Sequence, residues 1–269
     1  MTGDVLSARE VRVSYGSRTV LDRLAWQVRA GEALALVGPN GSGKSTLLRV
    51  LARLLAVDGG VVLLDGEDIA RLPTTRVARR LAVLPQGPVP PEGVTVRELV
   101  EHGRYPHRGA FARPTAADRD AVDEALELTG LTGFAGRYVD RLSGGERQRA
   151  WIALTIAQQT QVLLLDEPTT FLDLGHQLEI LDLVAGLRAE RRLTVVLVLH
   201  DLNQAARYCD RLVALDGGRI VADGAPAEVI DADFLAAHFG VRATVTTDPV
   251  TGAVVCLPYA AIGPGGERG

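Results

Sequence analysis

The chain has 269 residues, enough to bury a sizeable core as one large domain or two small ones. Its hydrophobic content is 47% with only 4% aromatic, so Val, Leu and Ala fill the interior, as in α/β proteins. A net charge of −4 argues against nucleic-acid binding through a basic surface, and the absence of a secretory leader pattern or a long uncharged apolar run predicts that any membrane role comes through partners.

From Val5 to Val28 apolar and polar residues alternate around Val11, Val13 and Tyr15, with a turn at Gly16-Ser17, which predicts antiparallel strands. Tyr15 is either a half-buried strand side chain or a surface on which a purine stacks, and spacing leaves both open. The apolar run Ala33 to Val37 predicts a buried strand. It leads into Gly38-Pro39-Asn40-Gly41-Ser42-Gly43-Lys44-Ser45-Thr46, and then into a helical stretch through Leu47, Leu48, Val50 and Leu51. This is a complete phosphate loop in its strand–loop–helix setting. Gly38, Gly41 and Gly43 let the backbone curl so that successive N–H groups face phosphate, and the helix adds its positive end. Lys44 reaches the β- and γ-phosphates, and Ser45 offers a hydroxyl to Mg²⁺. Lys44 is the only lysine among 29 basic residues. A compact ammonium fits such a cradle where a rigid guanidinium fork does not.

Val57 to Gly66 reads as turn, strand, turn. Arg71 to Arg80 predicts a short helix with a basic solvated face, and Leu81 to Leu84 a strand ending at Pro85-Gln86. The proline-rich loop Gly87 to Gly93 excludes regular structure and marks a subdomain boundary. Val94 to Gln159 is helical in pattern. Thr115 and Asp118 form a capping box for a helix carrying Val122, Leu126 and Leu128, broken by Gly130 and Gly133. Leu142-Ser143-Gly144-Gly145-Glu146 contains a second capping box, opening a helix through Trp151, Ile152, Leu154 and Ile156. A helix start with Ser143, Gly144 and Gly145 is a further anion-binding candidate.

Gln161 to Leu165 predicts a fully buried parallel strand ending in Asp166-Glu167-Pro168. A helix follows around Leu178 to Leu187. The strand Thr194 to Leu199 ends in His200-Asp201 at the same topological position, the end where open α/β sheets hold ligands. Strands Leu212 to Leu215 and Arg219 to Ala222 flank a turn, followed by a helix from Pro226 to Phe239, a β-rich tail and a fraying end from Gly263 to Gly269. Cys209 and Cys256 lack metal-type spacing and read as thiols of a reducing cytosol rather than a disulfide. His102, His107, His176 and His238 have no metal-ligand pattern and read as structural or exposed. There is no internal repeat, so the chain holds one nucleotide-binding unit.

From about Leu6 to about Pro258 these segments resemble the nucleotide-binding subunits of ABC transporters. Gly38 to Thr46 match Walker A, Gln86 the Q-loop glutamine, and Leu142 to Glu146 the signature, with Glu146 where many members have glutamine. Val162 to Asp166 match Walker B, Glu167 follows as the catalytic carboxylate, Leu172-Asp173 match the D-loop and His200 the switch histidine. Tyr15 falls where the family's adenine-stacking aromatic lies. The resemblance implies a P-loop NTPase fold of the α/β class. Residues 1–86 and 160–230 would form a RecA-like core with an antiparallel β subdomain. Residues 87–159 would form the α-helical signature subdomain, and 231–269 a C-terminal helix and β-rich tail. It also implies ATP and Mg²⁺ as ligands. Ser45, Gln86 and, through water, Asp166 would hold the metal; Glu167 would polarise the attacking water, and His200 would contact the γ-phosphate. Ser143, Gly144, Gly145 and Asp173 would close onto ATP held by a second copy of the chain, giving a head-to-tail homodimer on two ATP. Gln86 and the loop after it would pass that motion to integral membrane permease subunits at the cytoplasmic face, served by an extracytoplasmic binding protein. No nucleic-acid partner is expected.

Gly103-Arg104-Tyr105-Pro106-His107, Pro168 to Asp173 and His200 to Ala205 are similar to the importer subgroup for ferric siderophores, haem and cobalamin. Arg147 to Ala153 and Asp248 to Gly252 most resemble its ferric-siderophore branch. The other readings are a haem or cobalamin importer, a soluble ABC ATPase acting on DNA or ribosomes, and a module that binds nucleotide without hydrolysis. The last predicts loss of Glu167 or His200, and both are present.

Overall fold

In the computed structural model, which describes residues 3–89, 92–108 and 112–262, the predicted alternation near the N-terminus becomes two long strands. β1 (Asp4–Tyr15) and β2 (Arg18–Arg29) pair antiparallel around Gly16-Ser17, with Val13 opposite Leu21 and Tyr15 opposite Arg18. The register shifts between Ala8 and Val11, where Glu10 takes a positive φ of 50°, a bulge that strengthens the local twist. β3 (Ala33–Val37) is buried along its whole length and leads to α1 (Lys44–Leu51). β4 (Gly59–Leu64) pairs with β1, and the short β5 (Glu67–Asp68) completes a sheet ordered β2-β1-β4-β5.

The chain divides into two compact units, Met1–Asp68 with Val196–Gly269, and Ile69–Val195. The second unit opens with α2 (Thr74–Arg80), which begins behind Pro73 rather than at Arg71 because proline fixes the turn that starts the helix. β6 (Leu81–Leu84) follows. α3 (Val96–Glu101) continues into a 3₁₀ segment, His102–His107. α4 (Ala116–Leu128) starts at the expected box: Thr115 N–H donates to Asp118 Oδ2 (3.0 Å) and Asp118 N–H to Thr115 Oγ1 (3.2 Å). α5 (Gly144–Ala157) starts at the other, with Ser143 N–H donating to Glu146 Oε2 (2.8 Å) and Glu146 N–H to Ser143 Oγ (3.3 Å). β7 (Val162–Asp166) runs parallel to β6, Leu81 opposite Val162. α6 (Leu174–Arg191) is longer than predicted, because Asp173 caps it five residues upstream of Leu178, where the predicted helix starts.

β8 (Thr194–Val198) leaves this unit: Thr194 N–H donates to Gln161 O within the second unit, and Leu199 N–H to Leu36 O within the first. α7 (Leu202–Tyr208) is absent from the sequence-based reading. Its signal is Asp201, which accepts from the N–H groups of Asn203 (2.7 Å) and Gln204 (3.2 Å). β9 (Arg211–Asp216) lies parallel to β3, and β10 (Arg219–Gly224) folds back on β9 through Gly217-Gly218. The helix expected from Pro226 to Phe239 is broken. α8 (Pro226–Val229) stops at Ile230, which is extended. Asp231 then caps α9 (Ala232–Phe234), and a π turn, Leu235–Phe239, ends on left-handed Gly240. A capping aspartate competes with the helix backbone, so one periodic stretch becomes three short pieces.

β11 (Val241–Thr247) and β12 (Val254–Ala261) form the β-rich tail as a two-stranded hairpin. Asn203 on α7 clamps it. Its Oδ1 accepts from Cys256 N–H (2.8 Å) and from the thiol (3.2 Å), and its Nδ2 donates to Cys256 O (3.2 Å). Cys209 and Cys256 are both buried, and neither is in a disulfide. Asn203→Ala is expected to strand these groups at a cost of about 1–3 kcal/mol. Hydrogen exchange of the Cys256 amide should then quicken by roughly 10–100-fold, while amides of β3 stay protected. The expected Gly263–Gly269 fraying falls outside the described residues.

Candidate functional site

In the first unit the phosphate loop is moulded by what surrounds it. Gly38 has φ 140°, and a Cβ there would lie 2.0 Å from the carbonyl oxygen of Leu215 at the end of β9. Gly43, with φ 107°, caps α1, and its Cβ would meet Leu21 Cδ2 at 2.9 Å. The Gly217-Gly218 turn supports the loop from the other side, Gly218 N–H donating to Ser42 O (3.2 Å). The sequence-based reading took this turn only as a connection. Any side chain at position 38 needs both an uncommon backbone conformation and the space of a main-chain oxygen. Gly38→Ala is therefore expected to cost more than about 2 kcal/mol, seen as a lowered melting temperature and weakened ATP binding in the same preparation.

Lys44 is buried, and its Nζ donates to Gly38 O (2.8 Å) and Pro39 O (2.9 Å). These bonds fold the ammonium back over the phosphate loop. Ser42 Oγ is buried without a hydrogen-bond partner, a donor that a phosphate oxygen would satisfy. Tyr15 is 50% exposed at the tip of the β1–β2 hairpin. Arg18, opposite it, brings Nη2 to 4.0 Å from the Cβ position of Gly41, so the hairpin tip and the phosphate loop are neighbours. Pro39, Asn40, Ser45 and Thr46 lie in the loop and the first turn of α1. His200 is exposed just beyond β8, one residue after the Leu199–Leu36 bond to β3. This unit thus gathers Tyr15, the phosphate loop and His200.

The second unit carries the acidic residues. Asp166 is buried at the end of β7. Glu167 follows with φ 52°, a left-handed conformation that costs a non-glycine residue about 1–2 kcal/mol. Its Oε2 accepts from Gln86 Nε2 (2.5 Å) and from Thr170 Oγ1 (3.0 Å). Strain of this kind aims a side chain, and here it meets Gln86, 81 residues away in sequence. At the start of α5, the Ser143 backbone N–H and then its hydroxyl hold the Glu146 carboxyl below the usual range, outweighing burial. The ionised capping box keeps Ser143, Gly144 and Gly145 at a helix N-terminus, where positive potential gathers. Asp173 caps α6 and sits beside His176, which packs on Gly145. The sequence read His176 only as structural or exposed, and its contact with Gly145 has no local signal in the chain.

The matching family model is that of the ABC transporter, over residues 21–170. The chain belongs to the ABC transporter family. It is an ATP-binding ABC ATPase. It is 50% identical to the "Probable siderophore transport system ATP-binding protein YusV" of Bacillus subtilis, over 94% of this chain and 92% of that protein. It is 46% identical to the ferric enterobactin transport ATP-binding protein FepC of Escherichia coli, over 96% of each. Among solved structures, an inward-facing ABC transporter described as metal-chelate type matches with a TM-score of 0.83 at 27% identity, covering 96% of this chain and 98% of that one. The dimeric bacterial ABC cassette MJ0796 matches with a TM-score of 0.73 at 28% identity, covering 82% and 98%.

The ABC fold accounts for one stretch that had pointed to a cargo subgroup. In Gly103-Arg104-Tyr105-Pro106-His107 most side chains are structural. A Cβ on Gly103 would lie 2.3 Å from Leu154 O, and His107 Nε2 bonds Gln158 O (2.8 Å). Arg104 forms a buried ion pair with Asp118 (3.0 Å) and donates to Ala157 O (2.6 Å) and Gln159 Oε1 (2.9 Å). Only Tyr105, 61% exposed, is offered outward as a large apolar surface.

Proposed function

We propose that this ABC ATPase energises import of a ferric siderophore through a membrane permease. The observation that carries the cargo reading is the near full-length likeness to YusV and FepC, whose names specify siderophore and ferric enterobactin transport. Tyr15 stacks the adenine. The backbone of Gly38, Pro39, Asn40, Gly41, Ser42 and Gly43, with Lys44, Ser45 and Thr46, holds the phosphates. Glu167 orients the attacking water as general base, and His200 supports the γ-phosphate as charge builds.

Ser45, Gln86 and Asp166 would hold Mg²⁺. They offer a hydroxyl, an amide and one carboxylate, and no cluster of three or more His, Cys, Asp or Glu side chains suited to caging a metal occurs among the described residues. Such donors suit Mg²⁺, which keeps waters and phosphate oxygens as ligands. When bound, it neutralises charge on the β- and γ-oxygens.

Ser143, Gly144, Gly145 and Asp173 close on ATP held by a second copy, so ATP shifts the population toward a closed homodimer. No described helix is long and apolar enough to cross a membrane. The chain works at the cytoplasmic face through permease subunits, with an extracytoplasmic binding protein delivering cargo. A groove of about 350 Å³ lined by Val94, Glu98, Glu101, His102, Tyr105 and Arg108, downstream of Gln86, is the surface offered to the permease.

The test is uptake of labelled ferric siderophores, haem and cobalamin by iron-starved cells carrying wild type or Glu167→Gln. Loss of ferric-siderophore uptake alone is expected. Loss of cobalamin uptake instead would favour the reading suggested by a 44% identical cobalamin import ATP-binding protein of Halobacterium salinarum, of which the match covers 61%. Normal entry of all three cargoes in the mutant would remove the siderophore assignment.

A further inference from the structure

At the start of α6 one imidazole touches both ends of the machinery assigned to the partner's ATP. His176 Nδ1 lies 2.8 Å from Asp173 Oδ2, while its backbone N–H donates to Asp173 Oδ1 (2.9 Å). The other edge of the ring closes on Gly145: a Cβ there would meet Cδ2 at 2.6 Å, Cγ at 3.0 Å and Nε2 at 3.2 Å. The residues around it repeat the contact. Leu172 Cδ2 would lie 3.7 Å from a Cβ on Gly144, Gln177 Nε2 donates to Leu172 O (2.9 Å), and Arg149 of α5 approaches Glu179 of α6 (3.4 Å). At Gly145 an α6 residue therefore occupies the space where a side chain would stand, while Leu172 lies at ordinary contact distance from Gly144. Glycine at position 145 is required here by His176, as well as by any approach of phosphate.

We propose that His176 is a positioning residue for ATP hydrolysis, a strut that fixes the Leu172-Asp173 loop against the Ser143–Gly145 turn so that both meet the partner's nucleotide in one register. The inference rests on the reading that these two segments close on ATP in the dimer. The chemistry suits the task. The backbone N–H of His176, then its ring, hold the Asp173 carboxyl below the ordinary range, so Asp173 stays an acceptor for the ring. The flat ring meanwhile presents an edge that fits flush against a residue without a side chain. An alanine at 176 would free both segments, and misplacement by about 1 Å of groups that orient a reacting phosphate lowers rates by roughly 100-fold.

The test compares H176A, H176N and H176F in the purified full chain. H176N retains a donor near Nδ1 for Asp173 but gives up the ring, and H176F does the reverse. H176A is expected to lower kcat by about 10–100-fold, with the affinity of the isolated chain for ATP within about twofold and the melting temperature nearly unchanged. H176N and H176F should each restore part of the turnover. In the Glu167→Gln background, H176A should raise the ATP concentration needed for dimerisation. If Glu167→Gln itself forms no ATP-dependent dimer, the underlying dimer reading fails, and this inference with it. If that dimer forms equally well with H176A and kcat is unchanged, only the role of His176 is overturned. A parallel loss of stability and turnover in all three variants would make the residue structural and would likewise overturn the proposal.

Discussion

Glu167→Gln is expected to lower ATP turnover by about 10²- to 10⁴-fold, the range for removing a general base, while leaving ATP binding intact. The substitution is nearly isosteric. The oxygen that accepts from Gln86 Nε2 and Thr170 Oγ1 has a counterpart in the glutamine amide, so the local network and the left-handed backbone at 167 persist. What disappears is the carboxylate's basicity, which on the proposed mechanism acts only while water attacks. ATP should therefore drive the mutant into a dimer that does not reopen, visible as ATP-dependent doubling of mass in size-exclusion chromatography. Equal hydrolysis by mutant and wild type would remove Glu167 from the mechanism. A fall in ATP affinity equal to the fall in turnover would show instead that the residue supports nucleotide binding. The same allele in cells gives the uptake test, so enzyme and transport readouts bear on one residue.

Arg104→Ala is expected to destabilise the protein by about 3–5 kcal/mol, because it leaves a buried carboxylate without its partner. Arg104 and Asp118 are each only 5% exposed, and Arg104 joins the 3₁₀ segment after α3 to α4 and to the end of α5 in one set of bonds. Arg104→Met with Asp118→Leu should recover much of the loss, since an apolar pair of similar bulk has no charge to desolvate. The pair also sets an acid limit. Burial pushes the Asp118 carboxyl up, but the Thr115 backbone N–H and hydroxyl, with Arg104, outweigh it and bring it down to about 2. A carboxyl depressed in the folded state stabilises fully above its unfolded pKa, near 4. That contribution, at most about 2.5 kcal/mol, fades as pH falls from about 4 towards 2. Denaturant titrations at pH 6 and pH 3 should show wild type losing about half of this increment and Asp118→Asn losing less. Equal losses would mean that Asp118 is not the group titrating.

The parts of the site legible in the sequence are those built from neighbours in the chain. The run Ala33 to Val37, the glycines and Lys44 are contiguous, and strand, loop and helix arise from rules that act over a few residues. Both capping boxes, at Thr115 and Ser143, bring together residues three apart, and both appear as expected. The miss between Pro226 and Phe239 has a local cause too: the apolar periodicity is real, but Asp231 prefers to cap. α7 had a cap at Asp201 that went unread because it is only seven residues long.

The amino-acid order alone determined the phosphate loop, the strand ends that present Asp166, Glu167 and His200, and the family to which these motifs point. Only the tertiary structure decided that Gln86 meets Glu167, that Gly38 must stay bare because Leu215 O occupies the place of a side chain, and that Asn203 anchors the C-terminal hairpin 53 residues downstream. It also turned Arg104 from a subgroup marker into a buried strut, and His176 from a histidine read as structural or exposed into the contact between two loops. The division follows from range. Backbone propensity and capping act over three or four residues and leave their pattern in the order of the chain. Close approach, burial and ion pairing depend on which distant segments packing brings together, and those partners leave no local trace.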